Sequence, residues 1–425
     1  MAQKAIREAD GKGMMVRLLA EYTGGRYTIR NRFISVGPET DLKRLSGKHP
    51  WLLKERLAVK PDQLIKRRGK SKLLLLNADW KGVEQWIRER MNTEVTVAGV
   101  TGVWDRFIVE PFVPHNEKDE YYVAITSQRE GDTILFHHEG GVNVGDVDAR
   151  AVKLSVPIGE MPSLQEIEKK LLGKVPKEQK AIIAGFIEGL FKFYADLGYT
   201  YLEINPFIVK GKDVIPLDMA AKLDDTATFV SGKKWGSIGF PSPFGRILTK
   251  EEAYIEELDS KTGSSLKLTV LNPEGRVWTM IAGGGASVIY ADTITDLGFM
   301  GEMANYGEYS GDPNEEFTYL YAKTILDLMT RKKNPRGKVL LIGGGIANFT
   351  DVAKTFNGII RALREYREKL KDNKVKIFVR RGGPNYKEGL DNMRTLGEAL
   401  GVPIAVYGPE THMTKIVSMA LKGGR

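Results

Sequence analysis

Twice in the second half of this 425-residue chain an apolar run ends in three consecutive glycines and leads into an amphipathic segment. The first instance is residues 277–281, Gly283-Gly-Gly285 and 286–296; the second is residues 338–342, Gly343-Gly-Gly345 and a helix from about Asp351. In that second helix Val352, Phe356, Ile359, Ile360 and Leu363 repeat with helical spacing, which predicts one buried stripe. A strand over 375–379, a helix over 386–400, a strand over 404–407 and a last helix complete the pattern. Such alternation predicts an open, doubly wound parallel sheet covered by crossover helices. Ligands of these sheets bind beyond the carboxyl ends of the strands, where both glycine triplets and Arg381 fall.

The run Leu341-Ile-Gly-Gly-Gly-Ile-Ala-Asn-Phe-Thr350 reads as a strand, a glycine turn and an Asn/Thr-capped helix start, with backbone N–H groups turned toward an anion. Arg381, at the end of the next strand, can grip a carboxylate or phosphate at two points. One glycine triplet says little, because a tight strand-to-helix turn needs glycine with or without a ligand. Two triplets and the turn Arg380-Arg-Gly-Gly-Pro-Asn385 at one sheet edge indicate a binding site. Neither triplet fits Gly-x-Gly-x-x-Gly with a downstream ribose acid, so a dinucleotide is not the expected ligand.

Hydrophobic residues make up 42% of the chain and charged residues 28%, ordinary for globular domains with their own cores. The absence of cysteine excludes disulfides, thiolate nucleophiles and zinc-thiolate sites, and agrees with a reducing cytoplasm. No apolar leader opens the sequence and no stretch approaches the ~20 apolar residues that span a bilayer, so neither secretion nor a membrane is expected. The net charge of +9 suits acidic partners. The densest basic run, Lys66-Arg-Arg-Gly-Lys-Ser-Lys72, lacks interleaved aromatics or a recognition-helix pattern, so no nucleic-acid partner is expected either.

Residues 231–264, broken by Gly232, Gly236, Gly239, Pro241, Pro243 and Gly245, read as a long loop between domains. The expected division is 1–245 and 246–425. Ahead of it, short apolar runs at 73–76, 107–110, 121–125, 134–136, 207–209 and 214–217 read as strands and 178–197 as a helix, an α+β unit. Tyr201-Leu-Glu-Ile-Asn-Pro206, followed by Val214-Ile-Pro-Leu-Asp218, can bring Asn205 and Asp218 together as oxygen ligands for a hard cation such as Mg²⁺. A hydrogen-bonded hairpin end would use the same residues.

Several motifs together resemble ATP-citrate lyase, specifically its amino-terminal portion, a separate chain in two-subunit forms. They are Val59-Lys-Pro-Asp-Gln-Leu-Ile-Lys-Arg-Arg-Gly-Lys70, Val109-Glu-Pro-Phe-Val-Pro-His115, His137-His-Glu-Gly-Gly-Val-Asn-Val-Gly-Asp146, Leu202-Glu-Ile-Asn-Pro206, Ala282-Gly-Gly-Gly-Ala-Ser287, Asn305-Tyr-Gly-Glu-Tyr-Ser-Gly311 and Gly344-Gly-Ile-Ala-Asn-Phe-Thr350. The resemblance implies an ATP-grasp domain followed by a doubly wound, flavodoxin-like domain of the succinyl-CoA synthetase β type. It assigns Lys60, Arg68, Gly69 and Lys70 to the phosphates of ATP, Glu110, Pro111 and Val113 to the adenine, and Glu120 to the ribose. Asn205 and Asp218 become Mg²⁺ ligands, and Glu203 a catalytic residue that orients a histidine. Ser310, Gly311, Asn348, Thr350, Arg381 and Tyr366 become the citrate pocket.

Two departures qualify the resemblance. Lys72 stands where the family's phosphate loop has glycine, and none of His49, His115, His137, His138 and His412 sits in the family's phosphohistidine motif. The implied partner is therefore a second subunit carrying the phosphohistidine, the CoA site and a citrate-synthase-like domain. The implied reaction uses ATP, Mg²⁺, citrate and CoA, passing through citryl phosphate and citryl-CoA to acetyl-CoA and oxaloacetate. A citryl-CoA or succinyl-CoA synthetase without the lyase step, and a non-catalytic nucleotide- and citrate-sensing subunit, are the alternative readings.

Overall fold

The computed structural model describes residues 3–26, 28–29, 32–65, 73–141 and 147–423. The chain divides into two compact units, Met1–Ile247 and Leu248–Arg425. Among the described residues no helix is long and apolar enough to cross a membrane.

In the first unit an eight-stranded sheet has the main order Gln3–Ile6, Met219–Asp224, Tyr199–Lys210, Tyr121–Gln128, Gly131–His137 and Val152–Pro157. A four-stranded sheet runs Ile34–Val36, Phe107–Pro111, Leu57–Pro61 and Leu75–Ala78. Helices Glu8–Thr23 and Lys177–Asp196 pack their apolar sides into the core of the larger sheet, with Met14, Met15, Leu19, Phe186 and Leu190 fully buried. The first helix is capped from a distance: Asp62 accepts from the N–H groups of Glu8 at 2.8 Å and Ala9 at 3.3 Å. A carboxylate at a helix N-terminus satisfies otherwise unpaired donors and meets the positive end of the dipole.

In the second unit the sheet runs Ser265–Val270, Asn305–Ser310, Val277–Ala282, Lys338–Gly344, Val375–Arg380 and Ile404–Tyr407. Its five parallel strands, numbered along the chain, lie in the order 2-1-3-4-5, the flavodoxin-like arrangement. The order reverses between Val277–Ala282 and Lys338–Gly344, so the topological switch point lies at the two glycine triplets. Val352, Phe356, Ile359, Ile360 and Leu363 are all buried, as their spacing predicts.

Several local expectations are corrected. The stretch 231–264 is not one loop: helix Thr228–Trp235 ends inside it, and Lys250–Ser260 is a helix begun by a capping box in which Thr249 and Glu252 bond each other's backbone. The sheet is not wholly parallel, because Ser265–Val270 adds an antiparallel edge strand against Asn305–Ser310. Gly343 and Gly344 belong to the strand rather than to a turn, since both are still registered against Ile281 and Ala282. The strand placed at 73–76 forms instead at Leu75–Ala78.

Candidate functional site

A cavity of about 1120 Å³ in the first unit is lined from both of its sheets. Lys60, Glu110, Pro111, Val113, Glu120, Asn205 and Asp218 all border it, so seven of the residues proposed for ATP and Mg²⁺ share one space. Arg68, Gly69 and Lys70 lie outside the described residues. A cavity of this size accommodates a drug-sized or nucleotide-sized ligand.

One backbone hydrogen bond brings Asn205 and Asp218 together, and a second bond fixes the Asn205 side chain. The Asn205 N–H donates to the Asp218 carbonyl at 3.0 Å, and the Gly141 N–H donates to Asn205 Oδ1 at 2.7 Å. The Asp218 side chain keeps 40% of its exposure and lies 3.6 Å from Lys60 Nζ. Asn205 Oδ1 retains a second lone pair, and a carboxylate beside it completes a sparse oxygen set. Mg²⁺ favours such sets when phosphates and water fill the remaining positions, so these residues fit the ion. Among the described residues no group of three or more His, Cys, Asp or Glu forms a denser metal cluster.

Glu120 is held by His115, whose Nε2 lies 2.8 Å from its carboxylate while Nδ1 lies 2.6 Å from the Val113 carbonyl. Burial raises the Glu120 pKa above the usual carboxylate range, and His115 opposes that rise. Glu110 contributes its edge to the cavity, but its carboxylate is turned into a cluster with Lys12 and Lys60 rather than left for a base. Glu203 shares a strand face with Asn205 and accepts from the Tyr201 hydroxyl, yet it does not line the cavity. His137 and His138 lie with ring centroids 4.7 Å apart and planes tilted by 39° just before the cavity-lining Glu139, Gly140 and Gly141, and neither lines the cavity itself.

Sequence reasoning missed Lys12 and Glu8. The signal was present: positions 8, 12, 15 and 19 form one helical stripe, and all four are buried. Two charged residues in register with Met15 and Leu19 must find partners inside.

In the second unit, strand register assembles a different kind of site. Ala282 pairs with both Tyr309 and Gly344, so Ser310 and Gly311, the triplet Gly283–Gly285 and the triplet Gly343–Gly345 lie at the ends of three neighbouring strands on one side of the sheet. Arg381 follows the next strand, only 4% exposed, with Nη1 donating to the Gly345 carbonyl at 2.9 Å. Its Nε has no hydrogen-bond partner. Burial pulls the guanidinium below its ordinary pKa, the Tyr309 and Tyr290 hydroxyls opposing, and an arginine so shifted is still a cation. Arg380 is different: it is spent on the carbonyls of Gly344, Pro409 and Thr411. Of these two adjacent arginines, only Arg381 has a buried nitrogen without a hydrogen-bond partner.

Helix Val352–Glu365 is capped by Asp351, which accepts from the Lys354 N–H, and the Val352 N–H is taken by the Pro384 carbonyl. The expected Asn/Thr cap is thus corrected, because the aspartate two residues past Phe349 is the nearer strong acceptor. The other triplet leaves its helix open: Gly284–Asp296 starts from Gly283 with φ 101° and no side-chain cap. Asn348 is exposed on the loop before the Asp351 cap, and Thr350 is buried there. Tyr366 does not join this cluster. It caps the far end of helix Val352–Glu365, about 21 Å along the axis at ~1.5 Å per residue, with its hydroxyl toward Asp327.

Gly344 is tight enough to test the arrangement. A Cβ there would lie 2.6 Å from Arg381 Nη1 and 2.9 Å from the Ala282 carbonyl. Gly344→Ala should therefore displace the guanidinium and destabilise the protein by about 1–3 kcal/mol, the usual range for overpacking. Denaturant midpoints should fall accordingly, and an unchanged midpoint would show that Arg381 has room to move.

Comparison with known proteins decides the family. Residues 2–235 match the ATP-citrate synthase ATP-grasp domain, and residues 246–423 match the ATP citrate lyase citrate-binding domain. The chain belongs to the ATP-citrate lyase family. Its first unit is an ATP-grasp fold. The Arabidopsis thaliana ATP-citrate synthase alpha chain protein 2 is 48% identical over 422 residues, covering 99% of each chain. The bovine ATP-citrate synthase is 57% identical over 423 residues, and there the chain spans only 38% of the relative's length. Among solved structures, an ATP citrate lyase from Methanothrix soehngenii in complex with citrate and coenzyme A matches with a TM-score of 0.91 and 55% identity, covering 99% of this chain and 100% of that one.

Proposed function

We propose that this chain is the nucleotide- and citrate-binding subunit of an ATP citrate lyase, working with a second subunit that carries a phosphohistidine, the CoA site and a citrate-synthase-like cleavage domain. The end-to-end likeness to a lyase chain solved with citrate and coenzyme A carries this reading. The names "alpha chain" and "subunit 2" borne by relatives of similar length support a two-subunit arrangement.

In this reading ATP occupies the cavity of the first unit, with Pro111 and Val113 against the base, Glu120 toward the ribose and Lys60 toward the phosphates. Asn205 and Asp218 would hold Mg²⁺. When bound, the ion neutralises charge on the transferred phosphoryl group. The γ-phosphoryl passes to a ring nitrogen of the partner's histidine, releasing ADP. A carboxylate oxygen of citrate, held through Arg381, Asn348 and Thr350, then attacks phosphorus and gives citryl phosphate. The CoA thiolate displaces phosphate to form citryl-CoA, and cleavage to acetyl-CoA and oxaloacetate takes place on the partner. Dividing the activation into phosphoryl and acyl steps lowers each barrier.

Glu203 is assigned to orient the histidine. A carboxylate bonded to one ring nitrogen fixes the tautomer and stabilises the charge while the other nitrogen takes the phosphoryl group. With γ-labelled ATP, label should pass from wild-type chain to its co-purified partner. Glu203→Ala chain should assemble with the partner and bind Mg-ATP, yet form phosphohistidine about a hundredfold more slowly. Wild-type rates in the mutant would remove Glu203 from the mechanism, and label retained on the isolated chain would remove the partner's histidine.

A further inference from the structure

Beside the nucleotide cavity lies a buried cluster that the reaction just described does not fully use. Lys12 has no exposed side-chain surface and lies 2.8 Å from Glu8 Oε1, 2.6 Å from Glu110 Oε1 and 3.2 Å from the Leu217 carbonyl. Lys60 reaches the same three acceptors, at 2.6 Å from Glu8 Oε1, 3.4 Å from Glu110 Oε2 and 2.6 Å from the Leu217 carbonyl. It also lies 3.6 Å from Asp218. Four side chains, Glu8 and Lys12 on the first helix and Lys60 and Glu110 on two strands, thus meet the Leu217 carbonyl beside Asp218 in one place.

An ammonium has three N–H donors. The Lys60 ammonium donates to the Leu217 carbonyl and is ion-paired with the Glu8 and Glu110 carboxylates, which leaves little for a phosphate. Lys12 does not line the cavity, whereas Lys60, Glu110 and Asp218 do. Two ammonium groups here share the carboxylates of Glu8 and Glu110, and Lys60 also approaches Asp218. Removing Lys12 would take away one of the two ammonium groups that Glu8 and Glu110 share.

We infer that Lys12 is a positioning residue: it is the standing counter-ion of Glu8 and Glu110, which frees Lys60 to turn from them to the phosphates of a nucleotide. The inference rests on the nucleotide-site reading above. A buried carboxylate that loses its cation recaptures the nearest one, because an uncompensated buried charge is strongly unfavourable. Lys12 therefore acts on phosphate binding without touching the ligand.

The test is Mg-ATP affinity of the full chain by calorimetry, in wild type, Lys12→Met, Glu8→Gln and the Lys12→Met/Glu8→Gln double variant, with thermal melts of each. Lys12→Met should bind at least about tenfold more weakly, the order expected for a buried charge left unpaired. The double variant removes one charge of each sign and should recover to within about threefold of wild type. Lost packing alone would not be restored by a second substitution at Glu8. Wild-type affinity in Lys12→Met overturns the inference. A double variant that melts like wild type but binds as weakly as Lys12→Met also overturns it. Where Lys12→Met fails to fold, the double variant is compared with wild type directly: near-native affinity upholds the charge-balance role, and a tenfold loss refutes it. Failure of the wild-type chain itself to bind Mg-ATP would instead overturn the nucleotide-site reading.

Discussion

Replacing Arg381 with alanine should remove most of the citrate-dependent rise in melting temperature while leaving the response to Mg-ATP intact. A ligand that binds only the folded state stabilises it by about 2.7 kcal/mol at a hundredfold excess over its dissociation constant. Arg381 is buried, commits one donor to Gly345 and has an unpartnered Nε. A buried cation with a spare donor at a glycine-lined edge is arranged for an anion. Truncating one partner of a buried charged pair costs roughly 2–5 kcal/mol, or at least about thirtyfold in affinity, which is enough to erase the shift. The Gly345 carbonyl also loses its donor, so the variant's own baseline should fall. The shift must therefore be read against each protein without ligand, and equal citrate shifts in mutant and wild type would misplace the pocket.

Asp218→Asn should slow phosphoryl transfer by about a hundredfold or more, since it deletes a charge from the site that balances the transferred group. The substitution keeps the side chain's size, and the Asp218 carbonyl that receives the Asn205 N–H is backbone and survives it. Single-turnover transfer of label from ATP measures the loss, and the citrate-dependent melting shift of the same protein serves as its control. Loss of the citrate shift with normal transfer would contradict the assignment of the two ligands to separate units.

Much of the second unit was legible because its signals are local. A period of 3.6 residues puts Val352, Phe356, Ile359, Ile360 and Leu363 on one side of a helix, and that side is buried. Strand, glycine and helix in repeated succession lead to a parallel sheet whichever ligand it binds. Less was legible where the deciding partner lies far along the chain. The edge strand Ser265–Val270, just past the stretch read as a loop, went unassigned because its pairing with Asn305–Ser310 is antiparallel and lies 35 residues away at the closest register, Val270 with Asn305, and 45 at the farthest, Ser265 with Ser310. Tyr366 was carried into the citrate pocket by likeness alone, and helix length then set it at the wrong end.

What the sequence by itself determined is the kind of each element and the chemistry it offers: glycines where strands end, an arginine pair at the end of the strand over 375–379, and an asparagine and an aspartate near a hairpin. Periodicity, turn chemistry and motif likeness are properties of a few neighbouring residues, so they survive without coordinates. Only the tertiary structure decided which of two adjacent arginines keeps a buried nitrogen without a partner. Arg380 is committed to three carbonyls from a strand end and one loop, while Arg381 donates to the Gly345 carbonyl and keeps its Nε without a partner. It also decided that Asp62 caps a helix 54 residues earlier and that Lys12 shares its acceptors with Lys60. Charge balance inside a protein belongs to the set of groups that folding brings within a few ångströms, and no window of sequence contains that set.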